Sequence, residues 1–177
     1  NRFPSSSITR INLNNFSRNF SKFYGLSKQI NIDKNKSDLI SKYYSIFKKS
    51  VLLRLRSDVR VGACLSGGLD SSSIVAIASR EYKNKEPFML FHIHTSADDE
   101  YSELKYVKEL IKDLNVELIK INVDNNLIKD FIEDTILTQE EPFGSPSVIL
   151  QYILMKTANK YNCKVLLDGQ GGDETLL

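Results

Sequence analysis

Two short stretches of the chain combine glycines, hydroxyl side chains and carboxylates in a way that could bind a phosphate group. The first loop, residues 66–73, reads SGGLDSSS, and the second loop, residues 168–174, reads DGQGGDE. Glycine admits backbone angles closed to other residues and lets a ligand approach the main chain. Serine hydroxyls and the unpaired first-turn amides of a following helix are donors for an anion. The first loop therefore predicts a phosphate site.

Asp70 within the first loop adds a condition to that prediction. A carboxylate repels a phosphate unless a cation lies between them, and Mg²⁺ takes one or two carboxylates and completes its shell with phosphate oxygens and water. Asp173 in the second loop is the candidate second ligand. We therefore predict that Asp70 and Asp173 hold one Mg²⁺ ion.

Three better-known loops do not fit these residues. No lysine follows the glycines as in a P-loop of the G-x-x-x-x-G-K-[ST] kind, and the spacing is not the G-x-G-x-x-G of a dinucleotide site. Neither loop spells the G-x-S-x-G of a nucleophile elbow. A plain loop with a serine cap is the alternative for the first loop taken alone.

Strands that alternate with helices are expected to position the two loops. The residue pattern predicts a buried strand at 59–65, which is rich in β-branched and apolar residues, and further strands at 88–95, 116–123 and 164–168. Helical periodicity predicts helices from Ser37, as N-cap, to about 57, and over 71–82, 101–114, 125–137 and 147–161. This alternation indicates an α/β fold with a doubly wound parallel sheet. Ligands of such sheets bind beyond the carboxyl ends of the strands, which both loops follow.

The start of the chain has a different character. Residues 1–36 are rich in Asn, Ser and Lys with weak periodicity, and we expect a linker or arm with irregular structure. Residues 37–177 are expected to form the domain that carries the site.

Bulk properties narrow the class of protein. The 177 residues are 41% hydrophobic and 26% charged, which is ordinary for a globular protein, and a net charge of +2 gives no reason to expect a nucleic-acid partner. No apolar run approaches the ~20 residues of a membrane span, and no signal peptide is evident. Cys64 and Cys163 lie in apolar runs and are expected to be small core residues. These features favour a cytoplasmic protein.

At these residues the sequence resembles the synthetase domain of glutamine-dependent asparagine synthetases. RLRSDVRVGACLSGGLDSS (54–72) is similar to the phosphate-loop region of that family, and KVLLDGQGGDE (164–174) to its second signature loop. EEPFGSPSVILQYILMKTANKYN (140–162) resembles the stretch between them. The resemblance begins at about Leu39, and it implies the fold of the adenine nucleotide alpha hydrolase-like, PP-loop ATP pyrophosphatases.

The resemblance implies a role for each matching residue. The pyrophosphate-binding loop is matched by Ser66, Gly67, Gly68, Asp70, Ser71 and Ser72. Cys64 and Ile93 match positions that line the adenosine pocket through backbone groups, and we expect Leu65 beside them to contact the nucleotide. Asp168 and Gly169 match the start of the second loop, which contacts ATP, and Asp70 and Asp173 match Mg²⁺ ligands. Asp99 and Glu100 resemble an acidic pair of the family that opens the helix after the second strand, and an ordinary pair of charges at a helix N-terminus is the alternative.

Two departures from the family pattern stand out. The family usually has Ser-Gly-Glu-Gly where this chain has Asp168-Gly169-Gln170-Gly171, so Gln170 replaces a carboxylate associated with recognition of the acceptor substrate. A glutamine can still hydrogen-bond an amino or carboxylate group. The family's glutaminase domain and its helical C-terminal remainder are both expected outside these residues, so we expect a fragment that is inactive alone.

The implied reaction is the adenylation of a carboxylate, most simply the aspartate side chain, by ATP with release of pyrophosphate. Ammonia derived from glutamine would then form the amide. Asp70, Asp173 and Gln170 are the expected catalytic residues. The expected partners are small molecules, namely ATP, an amino acid and ammonia or glutamine, together with the glutaminase domain and a second copy in a homodimer. His92 and His94 share one face of a strand and are expected to be packing or rim residues.

Three other functions remain open at this point. A β-lactam synthetase or peptide cyclase would share the adenylation step but use an internal amine, and Gln170 is compatible with that. A tRNA-modifying or NAD-forming pyrophosphatase fits the middle of the chain less well. A nucleotide-binding module without catalysis would not need both Asp70 and Asp173.

Overall fold

The computed structural model of the chain describes residues 3–25, 35–83, 85–95 and 103–173. The expected acidic pair Asp99–Glu100 lies outside the described residues. The chain divides into two units, Asn1–Ser41 and Lys42–Leu177.

The first unit contains an antiparallel hairpin of β1 (Ser7–Ile11) and β2 (Arg18–Lys22), paired from Ser7↔Lys22 to Ile11↔Arg18. The expectation of irregular structure is therefore wrong for residues 7–22. The Asn-rich segment between the strands is their turn, because the Asn12 and Asn15 side chains accept hydrogen bonds from main-chain N–H groups two residues further on. Asparagine favours turns through such local bonds.

The second unit has a four-stranded parallel sheet. Its strands are β3 (Val61–Cys64), β4 (Phe88–Thr95), β5 (Val116–Val123) and β6 (Val165–Leu167), in the spatial order β5-β4-β3-β6. The order runs outward from β3 through β4 to β5, and then β6 joins β3 on its other side. The strand order therefore reverses between β3 and β6, where sheets of this type bind ligands.

The helices are α1 (Lys36–Arg54), α2 (Leu69–Glu81), α3 (Leu104–Ile111), α4 (Asn125–Asp130), α5 (Ile132–Gln139) and α6 (Ser147–Lys160). The Asn35 side chain accepts a hydrogen bond from the Ser37 N–H at 3.2 Å. Asn35 is therefore the cap of α1, and the prediction of Ser37 as N-cap is wrong by two residues. The predicted helix 125–137 is two helices, because Phe131 (φ −103°, ψ 4°) leaves helical geometry between them.

Hydrophobic cores lie on both faces of the sheet. Phe88 and Leu90 of β4 belong to the first core, with Val51 of α1, Val75 of α2 and Val107 of α3. The alternate β4 residues Met89 and Phe91 belong to the second core, which includes Ile149, Ile153, Leu154 and Ala158 of α6. Each fully buried side chain of this size stabilises the fold by about 1.5–3 kcal/mol. Helices on both faces confirm the predicted doubly wound parallel sheet.

Candidate functional site

The first loop joins β3 to α2 with a conformation that requires glycine. Gly67 has φ +90°, in the region that side chains disfavour. Gly68 occupies the N-cap position of α2 and offers no side-chain hydrogen bond. The first-turn amides of α2 therefore lack a side-chain cap, and together with the positive end of the helix dipole they attract an anion.

Two serine hydroxyls hold the first loop in shape. The Ser71 hydroxyl accepts a hydrogen bond from the Ser66 N–H at 3.3 Å and lies 3.0 Å from the Ser66 hydroxyl. The Ser66 hydroxyl in turn accepts from the Gly68 N–H at 3.2 Å. Ser71 is buried, whereas Ser66 is exposed. The loop is thus fixed by its own side chains.

The second loop follows β6 and packs against the first loop at two glycines. A Cβ at Gly169 would lie 2.7 Å from the Ser71 amide nitrogen and 3.0 Å from the Asp70 Cβ. A Cβ at Gly172 would overlap the Asp70 carboxylate. A larger residue at either position would force one of the loops to move. The two glycines therefore allow the loops to pack directly against each other. Within the second loop, Asp168 Oδ1 accepts from the Gln170 N–H at 3.2 Å.

The two loops line one open cleft of about 470 Å³. Its lining residues are Ser66, Gly68, Leu69, Asp70, Ser71, Asp168, Gly169, Gln170, Gly171, Gly172 and Asp173. A volume of this size is typical of small-molecule sites. Asp70 and Asp173, expected from the sequence to face each other, line the same cleft.

Five other expected nucleotide-contacting residues do not line this cleft: Cys64, Leu65, Gly67, Ser72 and Ile93. The Leu65 side chain is buried in the first core. Cys64 and Ile93 pack against the second core. Their expected contacts with the nucleotide through main-chain groups stay a prediction. Ser72 donates its N–H to the Gly68 carbonyl within α2.

Leu69 is a lining residue that the sequence did not single out. It is the first residue of α2, and the residue is 82% exposed. Its exposed side chain contributes an apolar surface to the otherwise polar lining of the cleft. The sequence feature that could have identified it is that Leu69 is the single large apolar residue in a loop of small and polar residues.

Both cysteine thiols of the chain have a raised pKa. Burial, followed by the nearby negative charge of Asp168, raises the pKa of the Cys64 thiol to about 12. Burial also raises the pKa of Cys163, which is confirmed as a core residue at 4% exposure. Both cysteines are free. Nucleophilic chemistry by these thiols is therefore disfavoured at neutral pH.

The donor set of the cleft fits a hard divalent cation. Asp70 and Asp173 supply carboxylate oxygens, and Asp70 forms no ion pair with any residue in the described ranges. Those ranges also hold no group of three or more His, Cys, Asp and Glu side chains arranged so that they could bind a metal ion together. An ion held by two carboxylates would complete its shell with phosphate oxygens and water, which is the usual arrangement of Mg²⁺.

The parallel sheet with helices on both faces and a glycine-rich loop at the reversal of strand order define the chain as a doubly wound α/β protein. A glutamine-dependent NAD⁺ synthetase from Acinetobacter baumannii, solved with adenosine diphosphate, has this fold with a TM-score of 0.50 at 14% identity. The match covers 95% of this chain and 31% of that one.

Within this class, the asparagine synthase family matches residues 42–177, and the chain belongs to that family. It is 32% identical over 140 residues to a putative glutamine-hydrolysing asparagine synthetase 2 of Methanocaldococcus jannaschii, covering 79% of this chain. It is also 32% identical over 143 residues to the glutamine-hydrolysing asparagine synthetase 2 of Bacillus subtilis, covering 77% of this chain. The aligned regions span 26% and 19% of the two relatives.

Across the described residues, helices that combine the length and the apolar character needed to span a membrane are absent.

Proposed function

We propose that the chain is the ATP-binding part of an amide-forming ligase that adenylates a carboxylate and releases pyrophosphate. The observation that carries this proposal is the meeting of the two loops at one cleft, with helix amides and serine hydroxyls beside two carboxylates. Family membership supports it, since the relatives are named as asparagine synthetases. The complete protein would act in the cytoplasm, together with a glutaminase domain and as a homodimer.

In the proposed reaction a substrate carboxylate oxygen attacks the α-phosphorus of ATP and the bond to pyrophosphate breaks. Negative charge then grows on the pyrophosphate, and the first-turn amides of α2 and the Ser66 and Ser71 hydroxyls stabilise it. Asp70 and Asp173 would hold Mg²⁺, which neutralises phosphate charge when bound. Ammonia then attacks the acyl carbon, the amide forms and AMP leaves.

Gln170 is the residue that bears on the acceptor acid. It is exposed in the second loop and lines the cleft beside Asp168. Its amide can donate to a carboxylate or accept from an amino group, which suits an amino acid. We propose aspartate as the acceptor and ammonia from glutamine as the nitrogen source.

The test is pyrophosphate release by the complete protein that contains this chain, with ATP, Mg²⁺, ammonia or glutamine and a panel of amino acids. We expect aspartate to stimulate release of pyrophosphate and AMP with formation of asparagine. Release of ADP and phosphate would contradict adenylation. Release stimulated only by a substrate with an internal amine would favour a β-lactam synthetase or peptide cyclase, and no release would favour a non-catalytic module.

Two serine variants make a matched pair for this assay. Ser71→Ala removes a hydroxyl that lines the cleft and shapes the first loop, and we expect it to slow pyrophosphate release by about tenfold. Ser50→Ala removes a hydroxyl on α1 that contacts Arg54, and we expect no change in rate.

A further inference from the structure

His92 is a buried polar residue that the proposed reaction does not use. It lies on β4 and is 3% exposed, which confirms the expectation of a packing residue. Its Nδ1 lies 2.7 Å from the main-chain oxygen of Leu65, the residue immediately before the first loop. The buried imidazole therefore connects the sheet to the start of the candidate site.

The hydrogen bond between His92 and Leu65 lies just beyond the last paired residues of β3 and β4. The last pair in register is Cys64↔Phe91, and the Leu65 N–H still donates to the Phe91 carbonyl at 2.9 Å. The Leu65 carbonyl lies beyond that ladder. Because a carbonyl oxygen only accepts, Nδ1 of His92 must carry the proton and donate it.

Anchoring this carbonyl also orients the next amide. The Leu65 carbonyl and the Ser66 N–H belong to one planar trans peptide, so they point in opposite directions. The carbonyl points to His92, and the Ser66 N–H points to the Ser71 hydroxyl in the first turn of α2. A rotated peptide would instead turn the carbonyl oxygen, with its partial negative charge, toward the Ser71 hydroxyl on the side of the cleft where the anion is proposed to bind.

We propose that His92 is a positioning residue for the triphosphate. It holds the Leu65 carbonyl against β4, and this keeps the Ser66 N–H directed toward the hydroxyl of Ser71, which lines the cleft. This inference rests on the proposed function, because the benefit exists only if an anion such as the ATP tail binds there.

The first test compares two polar substitutions in the complete protein. Asn places an amide N–H where Nδ1 stands, whereas the longer Gln places it near Nε2. We expect His92→Gln to weaken ATP binding by about tenfold and to raise KM for ATP without changing KM for the acceptor, while His92→Asn stays within about threefold of wild type. Phe91→Leu, on the opposite face of β4, controls for a general loss of stability and is expected to leave ATP affinity unchanged.

Equal ATP affinity of the wild type and both His92 variants would overturn the inference while leaving the proposed function intact. A wild-type protein that binds no ATP would instead overturn the proposed function. A second measurement needs no variant: the ¹⁵N NMR signals of the His92 ring. We expect a protonated Nδ1 at neutral pH, and a neutral ring protonated only at Nε2 would overturn the inference even if the Gln variant failed to fold.

Discussion

The Cα of Gly172 lies so close to the Asp70 side chain that a Cβ at position 172 would overlap the carboxylate. The contact joins the second loop to the first at the proposed Mg²⁺ ligand. No positive φ constrains Gly172, whereas Gly171 beside it has φ +90°. Space for the carboxylate, and not backbone conformation, is therefore what requires glycine at position 172.

Gly172→Ala tests that contact. The added methyl group must push the Asp70 carboxylate or the second loop aside, so we expect affinity for ATP with Mg²⁺ to fall by about tenfold, with an ordinary loss of stability of about 1 kcal/mol. Isothermal titration calorimetry measures the affinity. Gly144→Ala is the matched control, because a Cβ there meets nothing within 4 Å and no positive φ is present. Unchanged affinity in Gly172→Ala would contradict the tight fit.

Asp70→Asn tests the metal role of the carboxylate. The change keeps the shape and removes the charge, so we expect ATP affinity in the presence of Mg²⁺ to fall by roughly 100-fold. Without Mg²⁺ the same variant should bind ATP as well as the wild type or better, because the repulsion between carboxylate and phosphate is gone. Calorimetry with Mg²⁺ or with a chelator separates the two effects.

The control for that experiment is Asp124→Asn. The Asp124 side chain caps α4 by accepting from the Asn126 and Leu127 N–H groups, and asparagine is an equally good cap. We expect its ATP affinity and thermal stability to match the wild type. An equal loss of affinity in both variants would argue against a metal role for Asp70.

The Cys64 thiol should react very slowly with alkylating reagents. Its pKa is raised from 9.0 to about 12, so at pH 8 the folded protein holds roughly 1000-fold less thiolate at this position than an ordinary thiol does. The rate should rise by about tenfold per pH unit toward pH 11, as the thiolate fraction grows. The measurement is iodoacetamide labelling of a Cys163→Ala variant, folded and in urea. Fast labelling of the folded protein at pH 7 would contradict the burial of this thiol.

The sheet could be predicted from the sequence more closely than the rest of the fold. The strands 88–95 and 116–123 have the predicted bounds, because apolar and β-branched residues recur over the whole of both eight-residue segments. The break at Phe131 was missed, since helical periodicity averages over many residues and one residue outside helical geometry leaves no trace in it. The hairpin of β1 and β2 was missed because its pairing depends on hydrogen bonds between strands and not on composition.

For the candidate site too, some features could be predicted from the sequence and others could not. Its two loops could be found from their residue types, and their convergence follows from strands that end at one edge of the sheet. The contacts of Gly169 with Ser71 and of Gly172 with Asp70 depend on the register between the loops, which no local pattern encodes. The bond from His92 to Leu65 likewise depends on where the pairing of two strands stops.

The second loop directly follows β6, a strand of only three residues. Within the described part of the chain, β6 pairs with β3 alone. So short a strand, paired on one side, should open more readily than the centre of the sheet. Each opening would carry the second loop away from the cleft, and ATP bound there as proposed would in turn stabilise the paired strand. Binding of ATP and opening of β6 would then be thermodynamically linked. We expect the amide hydrogens of Leu166 and Leu167 to exchange more slowly when ATP is added.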